Sequence, residues 1–208
     1  MNPVVHNLFP TPIYQADLRE PLSDKILKNA DKLMNNSLKN RGNKTSQDNH
    51  VLDKPLYLNL KKECQFHLDE YYKNIINTKN NVTPYITQSW LNVTKENEYH
   101  HIHNHRNSVI SGVVYFNADP SKDSIRIYKA KIGEDYCLRF LMYPKEYNTW
   151  NSESWALPVK SNSIMLFSSY LLHSVDVKNS NNTRVSLAFN TFIKGKLGDQ
   201  VSLDMLEI

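Results

Sequence analysis

The sequence predicts an α+β domain that is mainly β, an antiparallel sandwich or barrel with two N-terminal helices packed on one sheet. Three observations carry this. Between Ser23 and Asn77, apolar residues recur at the three- and four-residue intervals of helices. After Pro84 the period drops to two, in about eight short runs rich in β-branched and aromatic residues. No helical pattern separates those runs, which argues for an antiparallel arrangement.

Residues 7–18, NLFPTPIYQADL, read as an extended entry segment, because Pro10 and Pro12 forbid helix. Leu22, Ile26, Leu27, Ala30, Leu33, Met34 and Leu38 then form one helix face, with Ser23 as its cap. Residues 40–53 are a polar loop. A second helix is expected from Pro55 to about Asn77, with Leu56, Leu60, Cys64, Leu68, Tyr71 and Ile75 on one face and Asp53 as cap. The strand runs are YITQSWLNV, SVISGVVYF, SIRIY, CLRFLMY, WALPV, SIMLF, LLHSVDV and TRVSLAFNTF. The longest connector lies near Tyr143–Ser154. Tyr147, Trp150 and Trp155 surround it, and we expect a flap over the site mouth, with a structural staple as the other reading.

Composition bounds the function. The chain of 208 residues, 40% hydrophobic with 12 Tyr, 7 Phe and 3 Trp, is not a disordered segment. It fits one domain, residues 1–208: an N-terminal strand and two helices over 1–83, a β core over 84–193 and a tail over 194–208. Its 5 glycines form neither GxGxxG nor GxxxxGK[ST], so a phosphate-cradling loop of the common kinds is absent. The net charge of +4 is scattered rather than striped, which makes a nucleic-acid partner a poor expectation. There is no signal-peptide pattern and no apolar run of membrane-span length, so a cytoplasmic location without membrane contact is expected. Cys64 and Cys137 make no disulfide framework.

The chemistry concentrates in histidines. Four of eight fall at His100, His101, His103 and His105, with His173 far downstream. Alternate residues of a strand share a face, so His103 and His105 can project into one cavity, with His101 and His103 as an alternative pair. His100 is expected on the opposite face, as an ordinary polar residue. Imidazole suits iron, zinc, copper or nickel, and protonated imidazoles crowded together would repel. Arg184, eleven positions beyond His173, shares a face with Ser186. A buried Arg beside a hydroxyl suits capture of a carboxylate. His67-Leu68-Asp69 is a decoy, because residues two apart on a helix do not face each other.

With these residues in view, the sequence resembles the iron(II)/2-oxoglutarate-dependent dioxygenases, and more narrowly a group of 2-oxoglutarate–iron oxygenases of marine bacteria and phages. It is distantly similar to prolyl 4-hydroxylases. The resemblance runs through Leu8–Tyr14, Trp90–Val93, His103–Phe116, Phe167–Val175 and Arg184–Asn190. It implies a double-stranded β-helix, or jelly roll. It further implies Fe(II) held by His103, His105 and His173, and 2-oxoglutarate held by Arg184 and Ser186. Tyr115 and Asn92 are weaker candidates for cosubstrate contact. The implied reaction is hydroxylation of a small-molecule or peptidyl substrate, with 2-oxoglutarate and O2 converted to succinate and CO2, in the host cytoplasm if the chain is phage-encoded. The superfamily's usual first pair is His-x-Asp or His-x-Glu, whereas His105 stands here; Glu96 or Glu98 is a conceivable replacement acid. The alternatives are a cupin-like zinc or nickel enzyme and a non-catalytic jelly-roll binding module. Neither requires Arg184 and Ser186 at their spacing from His173.

Overall fold

The structure, a computed structural model, describes residues 3–129 and 144–208. The expected strand CLRFLMY and Cys137 lie outside the described residues, as does Tyr143. Helix α1 spans Asp24–Met34, and Ser23 caps it by accepting from the Ile26 N–H. It ends before Leu38, which lies instead in the short strand β2 (Leu38–Lys39) paired with β3 (Lys44–Thr45). Helix α2 spans Leu58–Tyr71. Asp53 does not cap it. Two 3-10 turns, Val51–Asp53 and Pro55–Tyr57, precede α2, and the Asp53 carboxylate accepts from Lys61 at 2.6 Å. Past Tyr71 the helix widens into a π turn over Tyr72–Ile76.

The strands form two sheets. The larger runs β1 (Ile13–Asp17), β9 (Ser163–Ser168), β6 (Ile110–Asn117), β11 (Arg184–Leu197), β4 (Val82–Thr94), β3 and β2, with β12 (Leu206–Glu207) beside β11. The smaller runs β5 (His100–His103), β10 (His173–Val175), β7 (Ser124–Tyr128) and β8 (Ser154–Pro158). All the strand pairs among the described residues are antiparallel, and the two-sheet jelly roll follows from them.

The larger sheet is buried on both faces, and the period-two alternation decides what each face meets. Ile164 and Leu166 of β9, Val114 of β6, and Leu187 and Phe189 of β11 pack with Ala30, Leu60, Cys64 and Leu68 of the helices. Their neighbours Met165, Phe167, Val113 and Tyr115 point the other way, toward Ile125 and Ile127 of the smaller sheet. Gly112 is required by this packing. A Cβ there would stand 2.0 Å from Cζ of Phe189, the residue opposite it on β11. Among the described residues no helix is long and apolar enough to cross a membrane.

One buried ion pair closes the end of the sandwich where β11 begins. Asp123 and Lys178 have side chains only 2% exposed, 2.8 Å apart. Lys178 Nζ also donates to Ser180 Oγ at 2.6 Å and Asn182 Oδ1 at 2.5 Å. The other Asp123 oxygen accepts from Asn182 Nδ2 and the Asp119 N–H. Burial raises the Asp123 pKa, but the Lys178 ammonium and these donors outweigh it and hold the carboxyl below its usual value. Asp123→Ala leaves a buried ammonium without its anion and should cost about 3–5 kcal/mol in urea unfolding. Because the folded pKa is depressed, the carboxylate's contribution is full above the unfolded value. It is lost as pH falls through the folded one. An Asp123→Asn variant should therefore lose less stability than the wild type between neutral and strongly acid pH.

Candidate active site

Between the two sheets lies a cavity lined by Trp90, Asn92, Arg184 and Ser186 of the larger sheet and His100, His103, His173 and Ile125 of the smaller, together with His105. Its position follows from the alternation. On β4 and β11, Leu91, Leu187 and Phe189 face the helices, so Asn92, Arg184 and Ser186 face the smaller sheet. Ser186 sits laterally opposite both Asn92 and Tyr115, which makes one row across three strands.

His103 and His173 are paired across β5 and β10, with ring centroids 4.2 Å apart. His105 lies past the end of β5 and is folded back by its N–H bond to the Ser169 carbonyl. Its ring stacks on Trp90 at 5.5 Å. One nitrogen from each of His103, His105 and His173 falls within 4.8 Å of the others. The remaining nitrogens are committed. Nδ1 of His103 donates to the His101 carbonyl at 2.8 Å, Nδ1 of His173 to the Leu171 carbonyl at 3.0 Å, and Nδ1 of His105 to Asn190 Oδ1 at 2.5 Å. Each acceptor fixes the ring as the Nδ1–H tautomer and leaves Nε2 with a lone pair. Burial lowers all three pKa values, His103 to about 4 and His173 to about 3, so the rings are neutral and able to ligate.

Arg184 is 3% exposed, and its guanidinium lies 5.2 Å from the centroid of the Tyr115 ring. No ion pair to it exists among the described residues, and its Nε is buried without a hydrogen-bond partner. The Tyr115 hydroxyl and the Asn92 amide oxygen are orphaned in the same way. Tyr115 has its pKa raised by burial, against the pull of Arg184. The Arg184 guanidinium and, one row away, the Tyr115 hydroxyl are donors that an anionic ligand would satisfy, whereas the Asn92 amide could meet a carboxylate only by presenting its Nδ2.

Two expectations need correction. His100 does not face away: it lines the cavity, and its ring stacks on His103 at 4.4 Å and 26°. The cause is a bulge. His103 pairs with His173 and His100 with Val175, so three steps on β5 match two on β10 and the alternation is lost. Nor, among the described residues, does Glu96 or Glu98 or any other acid line the site. Glu98 accepts from the Lys95 N–H at 2.8 Å, Glu96 is exposed, and no carboxylate is among the lining residues. Asn190, which holds His105, closes the Arg184–Asn190 stretch but carries no expected role there, and Asn40, which holds His100, belongs to no motif. The aromatic connector residues border a different space. Trp150 and Trp155 line a groove of about 720 Å³ with residues 6–11, and Trp150 Nε1 donates to Asn7 Oδ1 at 2.8 Å.

A jelly roll holding clustered imidazoles opposite a buried guanidinium defines a metal-dependent class, and comparison with known proteins specifies it. Residues 88–190, which contain every residue of the cavity, match the family model described as "Putative 2OG-Fe(II) oxygenase". The chain belongs to the 2-oxoglutarate/iron(II)-dependent oxygenases. No curated protein matches it in sequence. Similar solved structures share the fold at low identity. The epimerase SnoN, in complex with Fe3+, alpha-ketoglutarate and nogalamycin RO, has a TM-score of 0.60 at 11% identity, covering 94% of this chain and 86% of that one. A Pseudomonas putida prolyl-4-hydroxylase has 0.56 at 12%, with 86% and 92% covered. HygX from Streptomyces hygroscopicus, with nickel, 2-oxoglutarate and hygromycin B bound, has 0.56 at 10%, with 87% and 82% covered.

The His67 decoy has a structural role. Nε2–H donates to Glu63 at 3.2 Å, so Nδ1 accepts from the Tyr14 hydroxyl at 2.8 Å, which ties β1 to α2. His67→Ala should lower the unfolding midpoint in urea while leaving metal stoichiometry, read by equilibrium dialysis, unchanged.

Proposed function

We propose that His103, His105 and His173 hold the iron(II) of this oxygenase, and that Arg184 and Ser186 anchor the far carboxylate of 2-oxoglutarate. Tyr115 and Asn92 complete the cosubstrate wall. One observation carries the reading: three neutral imidazoles, each with Nδ1 pinned and Nε2 free, share a cavity with a buried guanidinium that has no anion among the described residues. The donor set suits a divalent transition metal, and the orphaned donors of Arg184 and Tyr115 suit a carboxylate.

When bound, iron(II) and 2-oxoglutarate supply the activation of O2 for hydroxylation of a C–H bond, with succinate and CO2 released. The residues of the chain supply the geometry. The carbonyls of His101 and Leu171 and the amide of Asn190 fix which nitrogen each ring presents. Arg184 offers a planar fork to a carboxylate, and Ser186 a hydroxyl from the same strand face. Phe167, packed edge-on to His173 at 4.9 Å, and Ile125 keep water from that wall of the cavity. The substrate is a small molecule or peptide, in keeping with the hygromycin B and nogalamycin RO bound in two of the similar structures and with the prolyl-4-hydroxylase. A single domain over 1–208, including the helices α1 and α2, carries the site. A reducing cytoplasm, where Cys64 stays the buried free thiol seen here, suits divalent iron.

The test is an anaerobic titration of the Fe(II) protein with 2-oxoglutarate, read by the visible charge-transfer band of a chelated keto acid. Arg184→Ala should weaken binding by roughly 2–5 kcal/mol, about 30- to 3000-fold, with iron affinity unchanged. Arg184→Lys should recover only part, because an ammonium cannot form both parallel bonds. Ser186→Ala should cost about 1 kcal/mol. An unchanged isotherm for Arg184→Ala would overturn the cosubstrate assignment, and a tight zinc site that iron cannot replace would favour the cupin-like alternative.

A further inference from the structure

Two histidines of the cluster, His100 and His101, have no part in the ligand set above, yet both are brought next to it. The bulge in β5 sets three steps against two on β10, so residues that a regular strand would send to opposite faces come together. The His100 and His101 rings lie 5.2 Å apart, and His101 and His103 4.9 Å apart. One nitrogen from each of His100, His101 and His103 falls within 4.8 Å of the others, the same closeness as in the first group. His101 Nδ1 is buried and has no hydrogen-bond partner. His100 Nε2 accepts from Asn40 Nδ2 at 3.1 Å. If the Asn40 amide turns its oxygen inward, Nε2 becomes the donor and Nδ1 the free lone pair, so that amide selects the nitrogen that His100 offers.

We propose that His100, His101 and His103 form a second position for a divalent transition metal, mutually exclusive with the His103–His105–His173 position. The exclusion follows from His103, which belongs to both groups. Its Nδ1 is engaged by the His101 carbonyl, which leaves a single nitrogen to be claimed by one ion or the other. An all-imidazole set without a carboxylate selects zinc, nickel or copper over magnesium or calcium. A zinc ion seated there withdraws His103 from iron, so zinc opposes cosubstrate binding without touching Arg184. The second position rests on the ring geometry alone. Its antagonism to iron rests on the ligand reading given under Proposed function.

The experiment uses the full chain with His105→Ala and His173→Ala combined, titrated anaerobically with Zn2+, and with Co2+ as a visible probe. Far-UV circular dichroism and thermal unfolding establish that the variant is folded, and a His105→Gln/His173→Gln pair serves if the alanines do not fold. The variant should bind one ion per chain. Adding His101→Ala should weaken that binding by more than about tenfold, since loss of even an outer partner costs ~10–100-fold in metal affinity. A folded variant that binds no ion overturns the proposal, as does wild type that takes up two Co2+ per chain. In the wild type, Zn2+ should bleach the Fe(II)–2-oxoglutarate band, and His101→Ala, which removes only the imidazole and retains the main-chain carbonyl that orients His103, should keep the band while resisting the bleaching. Equal bleaching in both overturns the antagonism. Absence of the band in wild type counts against the iron reading, whereas zinc binding by the double variant decides the second position by itself.

Discussion

A guanidinium buried among imidazoles, with no anion or carboxylate beside it among the described residues, is the constraint on which the rest of the site depends. Taking an ion out of water costs several kcal/mol unless a partner is supplied. The imidazoles answer burial by shedding their charge, His100 to a pKa of about 2 and His173 to about 3. Arg184 has no such exit, because a guanidinium does not deprotonate in proteins. Among the described residues no carboxylate meets it, and the far carboxylate of a dicarboxylate ligand is the anion proposed above. The usual first pair of the superfamily, with its carboxylate, would contribute one negative charge. His105 contributes none, and no described lining residue is a carboxylate, so on the proposed assignment the cosubstrate brings the negative charge to the cavity.

The fold sustains this imbalance by burying the larger sheet on both faces. Arg184 and Ser186 lie at the start of β11, flanked by β4 and β6, with apolar packing behind them and the smaller sheet in front. The Asp123–Lys178 network anchors the chain just before β11, which fixes where Arg184 enters the cavity. Phe189, filling the space over Gly112, fixes the register of β11 against β6 from the opposite face. Rigid neighbours on both sides keep the orphaned donors aimed at one place.

Much of this was legible in the sequence, for stated reasons. The long strands β4, β6, β9 and β11 announce themselves because burial selects β-branched and aromatic residues at period two. Arg184 and Ser186 share a face because β11 pairs regularly with β4 there, although its register against β6 shifts between Val185 and Ser186, and Ser23 is legible because a cap is a local bond. The illegible parts are those where local pattern and tertiary contact part company. His100 was assigned to the wrong face because a bulge is set by pairing with β10, not by the composition of β5. The hairpin β2–β3 is short and polar, and so reads as loop. Asp53 looks like a cap, but Lys61 claims its carboxylate and 3-10 turns take the place of the first helical turn. Asn190 and Asn40 act through single side-chain bonds across 85 and 60 residues of chain, which no spacing rule reaches.

The central claim is that the buried Arg184 charge is satisfied by the far carboxylate of the cosubstrate. A ligand–mutant cycle tests it most directly: anaerobic Fe(II) protein, wild type and Arg184→Ala, each titrated with 2-oxoglutarate and with 2-oxopentanoate, the same five-carbon keto acid without the far carboxylate. The account predicts that wild type prefers 2-oxoglutarate by about 30- to 3000-fold, and that the preference collapses toward unity in Arg184→Ala. A preference of the same size in both proteins would contradict it.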